Sequence, residues 1–281
     1  MAEIIFSAFS DEYATPFEEQ LKGMNEFGIK NIEMRFIDGK SIADLSIEEA
    51  KIAKSLLQKY GISVSAIGSP LGKIRLDDDF EKHLKTAENV FSLANFFGAK
   101  YIRIFSFYAP EGKNIADYKD EVLEKLGHLL AVAKKYNVTL CHENEALIYG
   151  DTPSRCLEIL EHFGGELKCV FDMGNFVLEN IDPYPSGYDM LKKYIEYFHI
   201  KDALFEGAIV PAGKGNAKIK DIIFAHKEYA KKDFFVTLEP HLQTFSGLNA
   251  LVGRSFENPY KYDDEKSAFT DAVTKFKELV F

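Results

Sequence analysis

Four side chains of the kinds that bind divalent metal ions stand at the ends of four apolar, strand-like runs in the second half of the chain. Glu143 closes VTLCHE, Asp172 closes KCVFD, His199 sits at the end of EYFHI, and Glu239 closes FFVTLE. Three carboxylates and one imidazole brought together would repel one another unless a cation held them. Carboxylate oxygen and imidazole nitrogen suit one divalent ion, Mn²⁺ first and otherwise Mg²⁺, Co²⁺ or Zn²⁺, rather than a soft thiophilic metal.

These four positions acquire meaning from the elements around them. Short β-rich runs at 4–9, 31–36, 62–67, 101–105, 138–143, 169–172, 197–200 and 235–239 alternate with 3.6-period segments. Those segments, at 15–27, 46–60, 79–97, 115–136, 152–163, 187–195, 218–231 and 265–280, predict helices. Gly or Asn ends several of them (EFGIK, KYGIS, FFGAK, KYNVT), and Asp151-Thr152-Pro153 reads as a cap followed by Pro in the first turn. Eight strand–helix pairs predict a single α/β domain over 1–281, a (β/α)₈ TIM barrel whose active site lies at the C-terminal ends of the strands.

Strand alternation tests whether the four candidates face one another, because residues two apart share a face. Glu143 goes with Cys141 and Thr139, Asp172 with Val170, His199 with Tyr197, and Glu239 with Thr237 and Phe235. The opposite sets (Leu140, Phe171, Phe198, Val236, Leu238) are bulky and apolar, as a face under helices requires. His142 falls among the outward residues and reads as a hydrogen-bonded member of the packing layer.

Composition excludes several function classes. With 34 basic and 44 acidic residues the formal net charge is −10, which opposes binding to nucleic-acid phosphates or to an anionic membrane surface. MAEIIFSAFSDE lacks the basic start of a signal peptide, and no apolar stretch reaches the roughly 18 residues of a spanning helix. Three cysteines (Cys141, Cys156, Cys169), with no CxxC, read as reduced core thiols of a cytoplasmic protein.

Four words in this order, CHENEALIYGDTPSRC, CVFDMGNFV, YFHIKDAL with the following VPAGKGN, and TLEPHL, resemble the xylose-isomerase-like TIM barrels. More narrowly they are similar to the sugar phosphate isomerase/epimerase group, which includes ketose 3-epimerases, inosose dehydratases and hydroxypyruvate isomerases. The resemblance implies that Glu143, Asp172, His199 and Glu239 are metal ligands and that the two glutamates are the acid–base pair. It implies a small-molecule carbohydrate substrate, with a homo-oligomer as a further family expectation. Two departures stand out. Asn175 occupies the place of a substrate-contacting histidine found in many ketose 3-epimerases. Lys201-Asp202 and the 211–216 turn replace a loop rich in glutamate and arginine.

The corresponding chemistry is removal of a C–H proton beside a carbonyl, with the metal-stabilised enediolate shared between Glu143 and Glu239 as acid and base. Loss of a β-hydroxyl from the same species gives an inosose-type dehydratase as the alternative. An endonuclease IV-like phosphodiesterase would need more histidines, and four of the seven here (His83, His128, His162, His226) fall in predicted helices. A non-catalytic sugar-binding barrel would not need both glutamates. Asn175, Lys201, Asp202, Lys214 and His241 are the candidate substrate contacts; a surface pair at 201–202 and a plain loop around Lys214 are the structural alternatives. Glu33, Arg35 and Arg103 read first as a buried charge network, and Phe107 or Tyr108 as an apolar wall for a sugar ring.

Overall fold

The apolar runs form eight parallel strands hydrogen-bonded into a closed ring in the computed structural model, which describes residues 2–243 and 259–281. In chain order they are β1 (Ile4–Ala8), β2 (Asn31–Met34), β3 (Ser63–Gly68), β4 (Tyr101–Ile104), β5 (Thr139–Glu143), β6 (Lys168–Asp172), β7 (Ile195–Ile200) and β8 (Phe234–Leu238). Each pairs with its sequence neighbour, and β1 closes the ring against β8 from Ile4↔Phe234 to Ala8↔Leu238. This is a (β/α)₈ barrel.

Helices α1 (Phe17–Glu26), α2 (Ile47–Tyr60), α3 (Phe80–Phe97), α4 (Lys119–Tyr136) and α5 (Pro153–His162) return the chain after β1 to β5. The expected punctuation is in place. Gly61, Gly98 and Asn137 cap α2, α3 and α4 in the left-handed conformation, and the Thr152 side chain accepts the Arg155 N–H at the start of α5. Beyond β6 come α6 (Met173–Leu178) and α7 (Tyr188–Leu191), then α8 (Ile219–Tyr229) before β8 and α9 (Glu265–Val280) at the end.

One expectation is corrected here. The predicted helix at 187–195 is only the four residues of α7, because Ile195 is already in the sheet opposite Cys169. Apolar alternation through IEYFHI takes those residues into the ladder. The sequence reading also lacked α6, which begins without a loop: Asp172 ends β6 and caps α6 at once.

The barrel has two distinct apolar layers. Inside, Ala66, Cys141, Val170 and Tyr197 pack together with Tyr101 and Phe235. Outside, Leu140, Phe171, Phe198, Val236 and Leu238 belong to the core shared with the helices. The inner cluster fills the barrel beneath the strand ends, so polar groups one layer higher stand on an apolar floor. Among the described residues no helix is long and apolar enough to cross a membrane.

Candidate metal centre

Register carries the four candidates to one level. Asp172 lies directly opposite His199 across β6 and β7, and His199 pairs with Thr237 on β8. The Glu239 N–H then donates to Ile200 O at 3.0 Å, extending the ladder by one residue. One ligand atom from each of Glu143, Asp172, His199 and Glu239 lies within 4.8 Å of the others, and all four residues are buried.

The imidazole stands among carboxylates. His199 Nδ1 is 2.8 Å from Glu143 Oε1 and 3.3 Å from Glu239 Oε2, while Nε2 is 3.0 Å from Glu33 Oε2. Burial alone would depress its pKa, but Glu143, Glu33 and Glu239 together hold it well above the ordinary histidine value. Glu33 in turn accepts from the Tyr197 hydroxyl at 3.0 Å. A Glu33-anchored Nε2–H leaves Nδ1 as the nitrogen facing the other three donors, the arrangement that orients histidine toward a metal.

Three cations divide the carboxylates between them. Arg103 Nη1 donates to Glu143 Oε2 at 2.7 Å. Arg35 donates to Glu239 Oε1 at 2.7 Å, to Asp11 Oδ2 at 3.0 Å and to Glu12 Oε1 at 3.1 Å. Lys201 Nζ donates to Asp172 Oδ2 at 2.9 Å, Asn175 Oδ1 at 3.1 Å and Glu239 Oε2 at 3.2 Å. Six carboxyl groups, counting Glu33, thus face three obligate cations; burial outweighs Arg35 at two of them, raising the pKa of Asp11 and pushing that of Glu12 up to about 8. Burial works against ionisation of Glu143, yet His199 and Arg103 hold its pKa down to about 2. Burial likewise opposes Glu239, which Lys201 and His199 keep well below the usual range. Burial wins at Asp172, where Lys201 only partly offsets it and the pKa rises to about 7. An excess of buried carboxylate oxygens around one imidazole nitrogen fits a divalent cation.

Short-range contacts lock these groups. Asn144 donates from Nδ2 to Asp172 O at 2.8 Å and accepts the Asp172 N–H on Oδ1 at 3.0 Å. Asn175 donates to Asn144 O at 2.9 Å, and its N–H caps back onto Asp172 Oδ1 at 2.9 Å. Helix α6 approaches so closely that a Cβ on Gly174 would lie 2.7 Å from both Cβ and O of Lys201. Phe9 closes one side, edge-on to the His199 ring at 5.0 Å and beneath the Arg35 guanidinium at 4.0 Å.

The structure therefore brings Asn175, Lys201 and His241 to the four central residues. His241 is buried, its Nε2 3.4 Å from Glu12 Oε1 and 3.5 Å from Glu239 Oε1. It does not bring in Asp202, whose carboxylate accepts the N–H groups of Ala203, Gly213, Gly215 and Ala217 at 2.8–3.0 Å. Lys214 sits exposed on the turn that Asp202 organises. Glu33, Arg35 and Arg103 form the buried network read from their strand faces. His142 lies in the packing layer with Nε2 3.0 Å from Ser106 Oγ. Phe107 is fully buried against Phe80 and His83 and forms no pocket wall. The sequence reading missed Asp11, Glu12 and Asn144. The acids of AFSDE directly after the first strand were the available signal for two of them.

The family model described as xylose isomerase-like TIM barrel matches residues 21–255. A 3-dehydroshikimate dehydratase of Bacillus anthracis is 24% identical over 199 residues, covering 68% of this chain and 70% of that protein. A solved D-tagatose 3-epimerase-like protein superposes with a TM-score of 0.72 at 17% identity, covering 98% of this chain and 95% of the other. A xylose isomerase-like TIM barrel protein from Mycobacterium smegmatis, in complex with magnesium, has a TM-score of 0.67 at 19% identity, with coverage of 89% and 94%.

Proposed function

This chain belongs to the xylose isomerase-like TIM barrel family, and from that premise we propose that it isomerises or epimerises a small keto-sugar, sugar or sugar phosphate. Glu143, Asp172, His199 and Glu239 hold a divalent ion, with Mn²⁺ the first to test and Mg²⁺, Co²⁺ and Zn²⁺ the alternatives. The observation that carries the reading is their convergence within 4.8 Å at the C-terminal end of the barrel. When bound, such an ion supplies Lewis acidity toward a carbonyl and its neighbouring hydroxyl.

The chain's own groups account for the proton. His199 and Arg103 keep Glu143 ionised and Lys201 and His199 keep Glu239 so, which leaves either carboxylate ready to accept a proton from the carbon beside the carbonyl. The other returns it, on the far side of that carbon for epimerisation or to the former carbonyl carbon for isomerisation. Lys201 places an ammonium between Asp172 and Glu239, where negative charge developing on a substrate oxygen is stabilised. Phe9 and the inner apolar layer keep water from the base.

Dehydration is the second reading, favoured by the 24% identity to a 3-dehydroshikimate dehydratase. It begins with the same proton removal and ends with loss of a β-hydroxyl. The test is α-proton exchange in D₂O, read by NMR, for a panel of ketoses and for 3-dehydroshikimate, with Mg²⁺ and after EDTA. Metal-dependent exchange supports the common step. Exchange without loss of water selects the isomerase reading, and loss of water in the mass spectrum selects the dehydratase. No exchange in any substrate sinks both.

A further inference from the structure

Loops after β3, β4 and β5 are tied together above the barrel: Arg75 bridges Tyr108 in parallel and Tyr108 bridges Ile148 in antiparallel register. They border a cleft of about 640 Å³, in the size range of small-molecule sites. Among the described residues its formal charges balance, with Arg75, Lys113 and Arg155 against Glu111, Asp151 and Glu179, and Arg155 pairs with Asp151 at 2.8 Å. Such a lining does not select a phosphate or a free cation. It suits a neutral ligand rich in hydroxyls.

Several of its donors are uncommitted among the described residues. The carboxylates facing Arg75, those of Asp77 and Glu111, stand 3.9 Å away, beyond hydrogen-bond length. Among the described residues Lys113 makes no ion pair and the hydroxyl of the half-buried Tyr108 makes no hydrogen bond, which leaves that hydroxyl and a ring face for a ligand. Leu147, also lining the cleft, is 61% exposed and held at φ +67, both unfavourable for a large branched side chain. An exposed apolar residue in a strained conformation at a cleft rim is the pattern of a ligand contact. Leu147 lies four residues beyond Glu143, so their Cα atoms are no more than about 14 Å apart.

Resting on the isomerase reading above, we infer that this cleft is a second sugar subsite. It receives the non-reacting ring of a glycosylated ketose while the keto end reaches Glu143 and Glu239. The apolar C–H face of that ring packs on Tyr108 and Leu147, and its hydroxyls meet Arg75, Lys113 and Asp151.

Saturation-transfer NMR and competition titrations with the Mg²⁺-loaded protein test this, using D-fructose against lactulose, maltulose, isomaltulose and turanose. At least one disaccharide is expected to bind about fivefold or more tightly than D-fructose, the scale of one aromatic and one polar contact. Arg75→Ala should abolish that preference while leaving D-fructose binding unchanged, and Tyr108→Ala should abolish it too. The subsite is overturned if no disaccharide outbinds D-fructose, or if the preference survives both substitutions. α-Proton exchange in the same samples reads the cluster separately. Disaccharide preference without exchange removes the isomerase reading and keeps the subsite; exchange of D-fructose without preference does the reverse.

Discussion

Arg35 Nη1 lies 2.7 Å from Glu239 Oε1, with both side chains almost wholly buried. The same guanidinium holds Asp11 and Glu12, so one side chain on the loop after β2 compensates three carboxylates from the ends of β1 and β8. Removing one partner of a buried pair leaves uncompensated charge. Arg35→Ala should therefore destabilise the protein by roughly 3–5 kcal/mol. Urea denaturation measures this, and a loss below about 1 kcal/mol would mean that water already screens the network.

Each glutamate of the proposed pair can be neutralised without changing its shape. Glu239→Gln and Glu143→Gln should each lower proton exchange by about 10²-fold or more, the scale of a general base. The near-ultraviolet circular dichroism should stay native. Full turnover in either variant would contradict its role.

A divalent ion bound only by the folded chain raises stability by mass action. At about 100 times its Kd it should add about 2.7 kcal/mol, seen as a higher Tm that EDTA reverses. Asp172→Asn should abolish most of that increment. An equal rise in the variant would place the ion elsewhere.

His226 provides a pH test away from the cluster. It packs at 4.8 Å from the rings of Phe198 and Phe234, and burial pushes its pKa down to about 4. The folded state resists protonation while the unfolded chain accepts a proton near pH 6.5. This residue therefore contributes no penalty above pH 6.5, and a growing one as pH falls toward 4. Relative to wild type, His226→Phe should gain about 2–3 kcal/mol between pH 7 and pH 4.5. The comparison cancels every other titrating group, so a pH-independent difference would refute the assignment.

The Asp202 turn depends on a bare backbone at residue 215. A Cβ there would fall 2.2 Å from Asp202 Oδ1 and 2.5 Å from Ala203 O. Gly215→Ala should lower stability by about 1–3 kcal/mol, the usual scale of overpacking. A lowered Tm by calorimetry checks it, and an unchanged Tm would show that the turn yields freely.

Barrel, strand order and the faces of the four central residues were all legible in the chain. They follow from local periodicity: alternation of two in the strands, 3.6 in the helices, and polar residues where an apolar run stops. Cys141 beneath Glu143 and Tyr197 beneath His199 needed no long-range information, because adjacent residues on a strand must point opposite ways. Membership of the charge network was legible for Glu33 and Arg103 on strands and for Arg35 directly beyond one. Asp11 and Glu12 lie on a turn whose direction no period specifies, and they reach the site because ring closure sets β1 beside β8. The neighbours Lys201 and Asp202 look alike in sequence, yet Lys201 turns inward to Asp172 and Glu239 while Asp202 takes four backbone N–H groups of its own loop. Only the tertiary structure decided that division. Burying a charged group is tolerable only beside its partners, and which partners are within reach depends on the closed barrel rather than on the local chain.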